Sequence, residues 1–508
     1  MTDRPDPAGA GTDSAQNAAG RGEVHALRCA DCARSDSAVT DVAPTGTLPI
    51  TAETLAGFPD GVPATTGLNR RRLIQNGLLG VASVYGASHL DWATMWEGAA
   101  AEAAEPQQRS LVCIYLNGGM DGLNTVVPLE AAQYSAYQAA RTTIARGLGP
   151  SAAGKVGTST MPATGATLGW ANVGVSGTGN NGATGGFDTL FGDGSGGAGS
   201  DLAVFPAADY SPSNQSHFES RDYWFSGALS KLQTGWLGRW LDAYGSQTNP
   251  LQAVSLSSSL SKQIRASRAP VCALEGLNGA RFQVPGITKS EPNAEFARLA
   301  AVGAGGNEHL ARARSIYGLT VDVSNRVSTL GNPPPNAAYP ANSDLSRKLQ
   351  LAATLLSAGL GTRVITIDWG SFDTHGQQLG SQDPQLSTLS RALAAFKADL
   401  AARGVEDKVA TMVFSEFGRR VDQNDSDGTD HGEGGVMMVM GSGIRGGLAG
   451  EHPGVVSTND GNLKAKTDFR TVYQALISEW LGGDPGAVLP GGPMPGIQRY
   501  DGQTRLTK

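Results

Sequence analysis

Six residues of metal-binding type fall in short segments rich in glycine: Asp121, Asp373, His375, Glu416, Asp430 and His431. Carboxylate oxygen and imidazole nitrogen together suit Zn2+, Mn2+ or a similar hard or borderline cation. A divalent metal, Zn2+ or Mn2+ or Ca2+, is therefore the expected cofactor. The adjacent pair Asp430-His431 sits in Gly428-Thr429-Asp430-His431-Gly432, where a tight turn can aim two neighbouring side chains at one point. Taken singly, each aspartate reads as a turn residue and each histidine as a satisfied polar group. The joint pattern is what points to a metal centre. Ser216 and His217, in Asn214-Gln215-Ser216-His217-Phe218, add a hydroxyl nucleophile and an acid/base or anion contact. Ser216 reads equally well as the N-cap of a following helix. Arg419 and Arg239 could hold an oxyanion in a guanidinium fork, or Arg419-Arg420 could be a surface pair.

Strand ends must position these groups. Four unbroken apolar runs stand out: Leu111–Leu116, Arg363–Asp368, Val409–Phe414 and Val436–Gly441. Continuous rather than alternating apolar character predicts strands buried on both faces, as in a parallel sheet. Asp121 follows the first run, Asp373 and His375 the second and Glu416 the third. Asp430-His431 precedes the fourth. Ligands of open parallel sheets gather outside the carboxyl ends of the strands, and the candidates cluster there. Leu386, Leu389, Leu393, Phe396 and Leu400 share one face of a predicted helix between the second and third runs. A second helix is predicted over Phe469–Leu481, with Val472, Leu476, Ile477 and Trp480 inward and Asp468 in its first turn. Strand, helix, strand gives an α/β fold with a mostly parallel central sheet flanked by helices.

Residues 150–205 interrupt this order as a Gly-rich insertion, with fifteen glycines in 151–200. Two segments resemble calcium-binding nonapeptide repeats, but such rolls need several stacked copies, and a surface insertion is the expectation. Asn332-Pro333-Pro334-Pro335-Asn336 marks another loop.

The formal net charge is −7 and the 39 basic residues form no dense run, which argues against a nucleic-acid partner. No apolar run is long enough for a permanent membrane span. Residues 1–68 have the composition of a disordered extension. Within it, Cys29 and Cys32 form a lone CxxC, weak as a metal or disulfide motif. Asn69-Arg70-Arg71-Arg72-Leu73-Ile74 and the mildly apolar stretch after it fit a twin-arginine export signal over residues 69–104. Ala101-Glu102-Ala103 is its cleavage site, and a basic amphipathic helix is the alternative. No methionine lies between Met1 and Met95, so a start nearer the arginines would need a non-AUG codon such as that of Val62. Cys113 and Cys272 are too few for thiolate-bound clusters, and Cys113 is expected as a buried free thiol.

The chain resembles the DUF1501 family of exported bacterial proteins, placed in the alkaline phosphatase/sulfatase superfamily. The resemblance rests on Asn117–Asn124, Asn214–Phe218, Thr234–Arg239, Phe372–His375, Ser415–Arg419, Gly428–Gly432 and Thr467–Arg470. It implies an alkaline-phosphatase-like three-layer sandwich over 105–508. It also implies hydrolysis of a small anionic phosphate or sulfate ester in the periplasm, cell envelope or outside the cell. Residue by residue, it implies metal ligation by Asp121, Asp373, His375, Asp430 and His431. The phosphatases separate the aspartate and histidine of one loop by three residues, where Asp373 and His375 are separated by one. Their third histidine would be His452, whose surroundings also read as a loop. The absence of Cys-x-Pro-x-Arg disfavours a formylglycine sulfatase. Glu416 would be an extra ligand or a base. The export signal implies the twin-arginine translocase as a partner during export, and the resemblance implies a DUF1800-type exported protein as another. A noncatalytic, metal-stabilised envelope protein of the same fold is the alternative.

Overall fold

All four apolar runs become strands of one sheet in the computed structural model. It describes residues 109–148, 155–160, 168–171, 185–276, 321–330, 337–499 and 502–508, with single residues between. The N-terminal extension, the twin-arginine segment, its cleavage site and the Cys29/Cys32 pair lie outside the described residues. The strands are β1 (Ser110–Leu116), β2 (Leu202–Asp209), β3 (Ala253–Ser255), β4 (Cys272–Ala273), β5 (Val364–Trp369), β6 (Val409–Ser415), β7 (Gly435–Met440), β8 (Gly447–Leu448) and β9 (Thr467–Asp468). Their order is β8-β2-β7-β6-β1-β5-β3-β4, and β9 also pairs with β2. β1 lies in the middle, parallel to β6 in the register Ser110↔Val409 to Leu116↔Ser415, and parallel to β5 from Leu111↔Val364 to Leu116↔Trp369.

Alternation of side chains along β1 explains its unbroken apolar run. Val112, Ile114 and Leu116 enter one hydrophobic cluster, while Leu111, Cys113 and Tyr115 enter another on the opposite face. The first cluster is covered by α4 (Asp344–Ser357) and α5 (Gln378–Ala402). The predicted stripe Leu386, Leu389, Leu393, Phe396 and Leu400 on α5 is at most 2% exposed. At about 25 cal/mol per Å2 of buried apolar surface, each such side chain contributes roughly 1.5–3 kcal/mol. The second cluster is covered by α2 (His217–Ser226), α3 (Trp236–Tyr244) and α6 (Phe469–Ala475), whose last turn widens into a π-helix over Leu476–Leu481. Val472, Leu476, Ile477 and Trp480 point inward as expected, and Asp468 is the N-cap, its carboxylate accepting from the Arg470 N–H at 2.9 Å. The result is a mixed α/β fold, with a mostly parallel central sheet flanked by helices on both faces.

Two expectations are corrected. The fourth run, β7, is antiparallel to both β6 and β2, not parallel. An unbroken apolar run reports burial on both faces and not direction. The segment 416–434 holds no helix to carry a parallel crossover, so the chain simply turns back. The Gly-rich insertion also stops short of 205, because Leu202–Asp209 is a fully buried strand. Pro206 lies inside it, where the β7 pairing skips between Phe205 and Ala208, the kind of irregularity at which a residue without an N–H is tolerated. Cys113 and Cys272 are buried free thiols. No helix among the described residues is long and apolar enough to cross a membrane.

Candidate metal centre

The site forms at the carboxyl ends of β1, β5 and β6, with α2 and the segment before β7 closing around it. At the end of β1, Gly118 and Gly119 have φ of +112° and +75°, a backbone that side chains other than glycine rarely adopt. A Cβ on Gly118 would lie 2.4 Å from the Asp373 nitrogen, so the β1 and β5 loops can touch only because it is glycine. That backbone aims two amides at Glu416, which follows β6. Glu416 accepts from the Gly118 N–H at 3.0 Å, the Gly119 N–H at 3.1 Å and the Ser415 hydroxyl at 3.0 Å. Completely buried, it also accepts from Nδ1 of His217 at 2.7 Å. Burial alone would raise its pKa, but these donors, His217 first, hold it below the usual carboxylate value.

Asp373 is the hub. Its Oδ1 lies 3.1 Å from Nε2 of His375, 3.2 Å from Nε2 of His431 and 2.7 Å from Nη2 of Arg419. Its Oδ2 lies 3.4 Å from Nε2 of His217. Against the upward pull of partial burial, the three imidazoles and the guanidinium hold its pKa far below the ordinary carboxylate range. Nε2 of His375 and Nε2 of His431 are 3.0 Å apart.

Each imidazole is oriented by an oxygen behind it. Nδ1 of His217 faces Glu416, Nδ1 of His375 faces Asp430 at 3.1 Å, and Nδ1 of His431 faces the Gln215 carbonyl at 2.8 Å. Those oxygens can only accept, so all three Nδ1 atoms carry protons, and the three Nε2 atoms are left to bind a proton or a cation. Burial pulls the His217 pKa down, but Asp373 and Glu416 outweigh it and raise it to about 9. Burial, with the Arg419 and His217 charges, lowers that of His431. Protons on Nε2 and the Arg419 guanidinium can meet the Asp373 charge, and a divalent ion would take the place of those protons. The ligand atoms of His217, Asp373 and His431 lie within 4.8 Å of one another. For metal–nitrogen distances of about 2.0–2.1 Å, neighbouring ligand atoms sit roughly 3.0–3.4 Å apart, and the contacts of Asp373 match that spacing. The donor set therefore fits a divalent ion held by His217, Asp373 and His431, with His375 beside them.

The remaining predicted residues lie elsewhere. Asp121 is not in the cluster: its carboxylate is paired with Arg141 at 2.5 Å and accepts from Gln378 at 2.5 Å, and both ions are almost completely buried. A carboxylate paired in this way has its charge already matched and anchors the β1 loop. Glu416 and Asp430, expected to touch metal directly, instead stand behind His217 and His375. Arg419 was a candidate anion clamp, but it donates to the carbonyls of Gly118, Gly119, Phe372 and Thr429 and to Asp373, which uses its fork to strap three loops together. Arg239 likewise donates to the Val488, Thr234 and Ser226 carbonyls. His452 accepts from the Gly454 N–H and is not in the cluster. Ser216 is at the N-cap of α2, between Gln215 and His217, yet its hydroxyl makes no cap hydrogen bond. Arg221, one helical turn after His217, escaped the sequence reading. The signal was the i, i+4 spacing in His217-Phe218-Glu219-Ser220-Arg221.

A family model described as "Protein of unknown function (DUF1501)" matches residues 209–476, more than half of the chain. That span contains Ser216, His217, Asp373, His375, Glu416, Arg419, Asp430 and His431, but not Asp121. No curated protein and no solved structure matches the chain. The chain belongs to the DUF1501 family.

Proposed function

We propose that the protein is a metal-dependent hydrolase of phosphate or sulfate esters, built on an alkaline-phosphatase-like sandwich and exported by the twin-arginine route. The observation that carries the reading is the convergence of imidazole Nε2 atoms on Asp373, each ring fixed by an oxygen at its other nitrogen. Imidazole donors favour Zn2+ or Mn2+ over Ca2+, which takes oxygen ligands. A divalent ion held there supplies Lewis acidity toward an ester oxygen.

The chain's own residues do the rest. Glu416 and the Gln215 carbonyl fix the ring planes of His217 and His431, and Arg419 balances the Asp373 charge while keeping the three loops in place. Asp430 does for His375 what Glu416 does for His217. The Ser216 hydroxyl, free of cap duty and next to His217, is the candidate nucleophile. Glu416 does not burden an anionic substrate, because His217, two backbone amides and Ser415 neutralise and enclose it.

One observation favours the second reading, a metal-stabilised binding protein: both arginines proposed for the oxyanion are spent on backbone carbonyls. Elemental analysis of the purified protein, with a panel of phosphate mono-, di- and sulfate esters assayed with and without chelator, separates the two. Bound metal with chelator-sensitive hydrolysis is expected, and bound metal without turnover would establish the binding protein. Ser216→Ala should keep the metal and lose turnover; unchanged turnover would remove Ser216 from the mechanism.

A further inference from the structure

With Arg419 and Arg239 committed to backbone carbonyls, the site needs another cation if it is to hold an anion. We propose that Arg221 is the substrate-binding residue that grips the phosphate or sulfate group of the ester, an inference that rests on the hydrolase reading. Three observations place it there. First, it lies four residues after His217 on the ten-residue helix α2. Residues at i and i+4 share a face, and long side chains lean toward the helix N-terminus, so Arg221 leans back over the turn that carries His217. Second, its charge acts on Tyr115 and Asp368, which are paired neighbours on β1 and β5 at the carboxyl edge of the sheet. Both lie near the edge at which β1 runs on to Gly118 and β5 to Asp373. Third, the guanidinium carbon lies 5.7 Å from the ring centroid of Phe218, a half-open side chain at 38% exposure. Among the described residues Arg221 makes no hydrogen bond and no ion pair, so all five of its N–H donors remain available.

Arg419, the arginine bonded to Asp373, is by contrast saturated. A planar fork resting on an aromatic face beside a metal-ligating histidine matches the tetrahedral oxygens of phosphate and sulfate. The ligand class is a small tetrahedral oxyanion carried on an ester. Asp368 sets the limit on charge: a substrate with a carboxylate next to its phosphate would face it unfavourably.

The test uses the full-length, metal-loaded protein with inorganic phosphate and inorganic sulfate as probes, read by calorimetric titration. Arg221→Ala should weaken phosphate binding about 10- to 100-fold, the effect of losing hydrogen bonds to a charged group. Arg221→Lys should recover part of the loss, and the metal content of both variants should equal that of the wild type. On any hydrolysed ester, Arg221→Ala should raise KM more than it lowers kcat. Phosphate binding within twofold of wild type in Arg221→Ala, or no binding of either oxyanion by the wild type, would overturn the assignment. Arg221-dependent oxyanion binding without hydrolysis of any ester would uphold it while refuting the hydrolase reading.

Discussion

Replacing Glu416 with Gln separates a ligand from a positioning residue. All partners of the Glu416 carboxylate are donors: Nδ1 of His217 at 2.7 Å, the Gly118 and Gly119 amides at 3.0 and 3.1 Å, and the Ser415 hydroxyl at 3.0 Å. Ser415 has no spare capacity, since its one proton is shared between the Leu116 carbonyl and Glu416 while its oxygen accepts from the Gly119 and Met120 amides. Whichever way the new amide turns, its NH2 meets a donor, and at least one buried N–H loses its acceptor. The cost is about 1–3 kcal/mol of folding stability. His217 also loses the oxygen that fixes its ring, and removing a carboxylate behind a ligating histidine weakens metal binding about 10- to 100-fold. Competition for Zn2+ with a chromophoric chelator reads the affinity, and urea unfolding reads the stability. Asp373→Ala, which removes the hub itself, should lose the ion altogether. If Glu416→Gln bound Zn2+ as tightly as wild type, or lost it as completely as Asp373→Ala, the positioning role would be wrong.

Two other outcomes follow from buried charge. Asp121→Asn leaves Arg141 buried without its counter-ion, so unfolding should show a loss of about 3–5 kcal/mol, while elemental analysis finds the same metal per chain. Asp209 is completely buried, and burial, opposed by the Gly434 and Tyr210 amides, raises its pKa from 3.8 to about 7. The folded state therefore holds a proton that the unfolded chain releases near pH 4, so stability is greatest below that pH and declines as pH rises toward 7. At 1.36 kcal/mol per tenfold change, the full decline is on the order of 4 kcal/mol. Asp209→Asn should flatten it, and equal differences between pH 5 and pH 8 for wild type and variant in urea unfolding would count against a neutral Asp209.

Burial was legible in the sequence and partnership was not. β1, β5 and β6 announced themselves because helices cover both faces, which requires apolar residues at every position. The direction of β7 left no trace in its composition, since a central strand meets the same surroundings whether it runs up or down. β2 was hidden by Pro206 and by the glycines before it, features that argue against a strand until a pairing irregularity accommodates the proline.

The same distinction governs the site. Asp121, Asp373, Glu416 and Asp430 are all acidic residues near strand ends or tight turns, and by type any could be a ligand. What separates them is the group each one faces. Asp121 faces Arg141, twenty residues on; Glu416 faces two amides about 298 positions away and a histidine 199 away; Asp430 faces the far side of His375. Only Asp373 faces the Nε2 atoms of His217, His375 and His431. Motif order could bring the donors to one crevice, but first contact is decided by long-range pairing that consumes the charge of the others. Arginine obeys the same rule in reverse. Arg419, inside the Ser415–Arg419 motif, is fully committed, whereas Arg221, just past Asn214–Phe218, makes no hydrogen bond or ion pair among the described residues. A residue's capacity to bind a ligand is what remains after the fold has taken its share of hydrogen bonds, and among the described residues Arg221 and Ser216, on either side of His217, keep such a remainder.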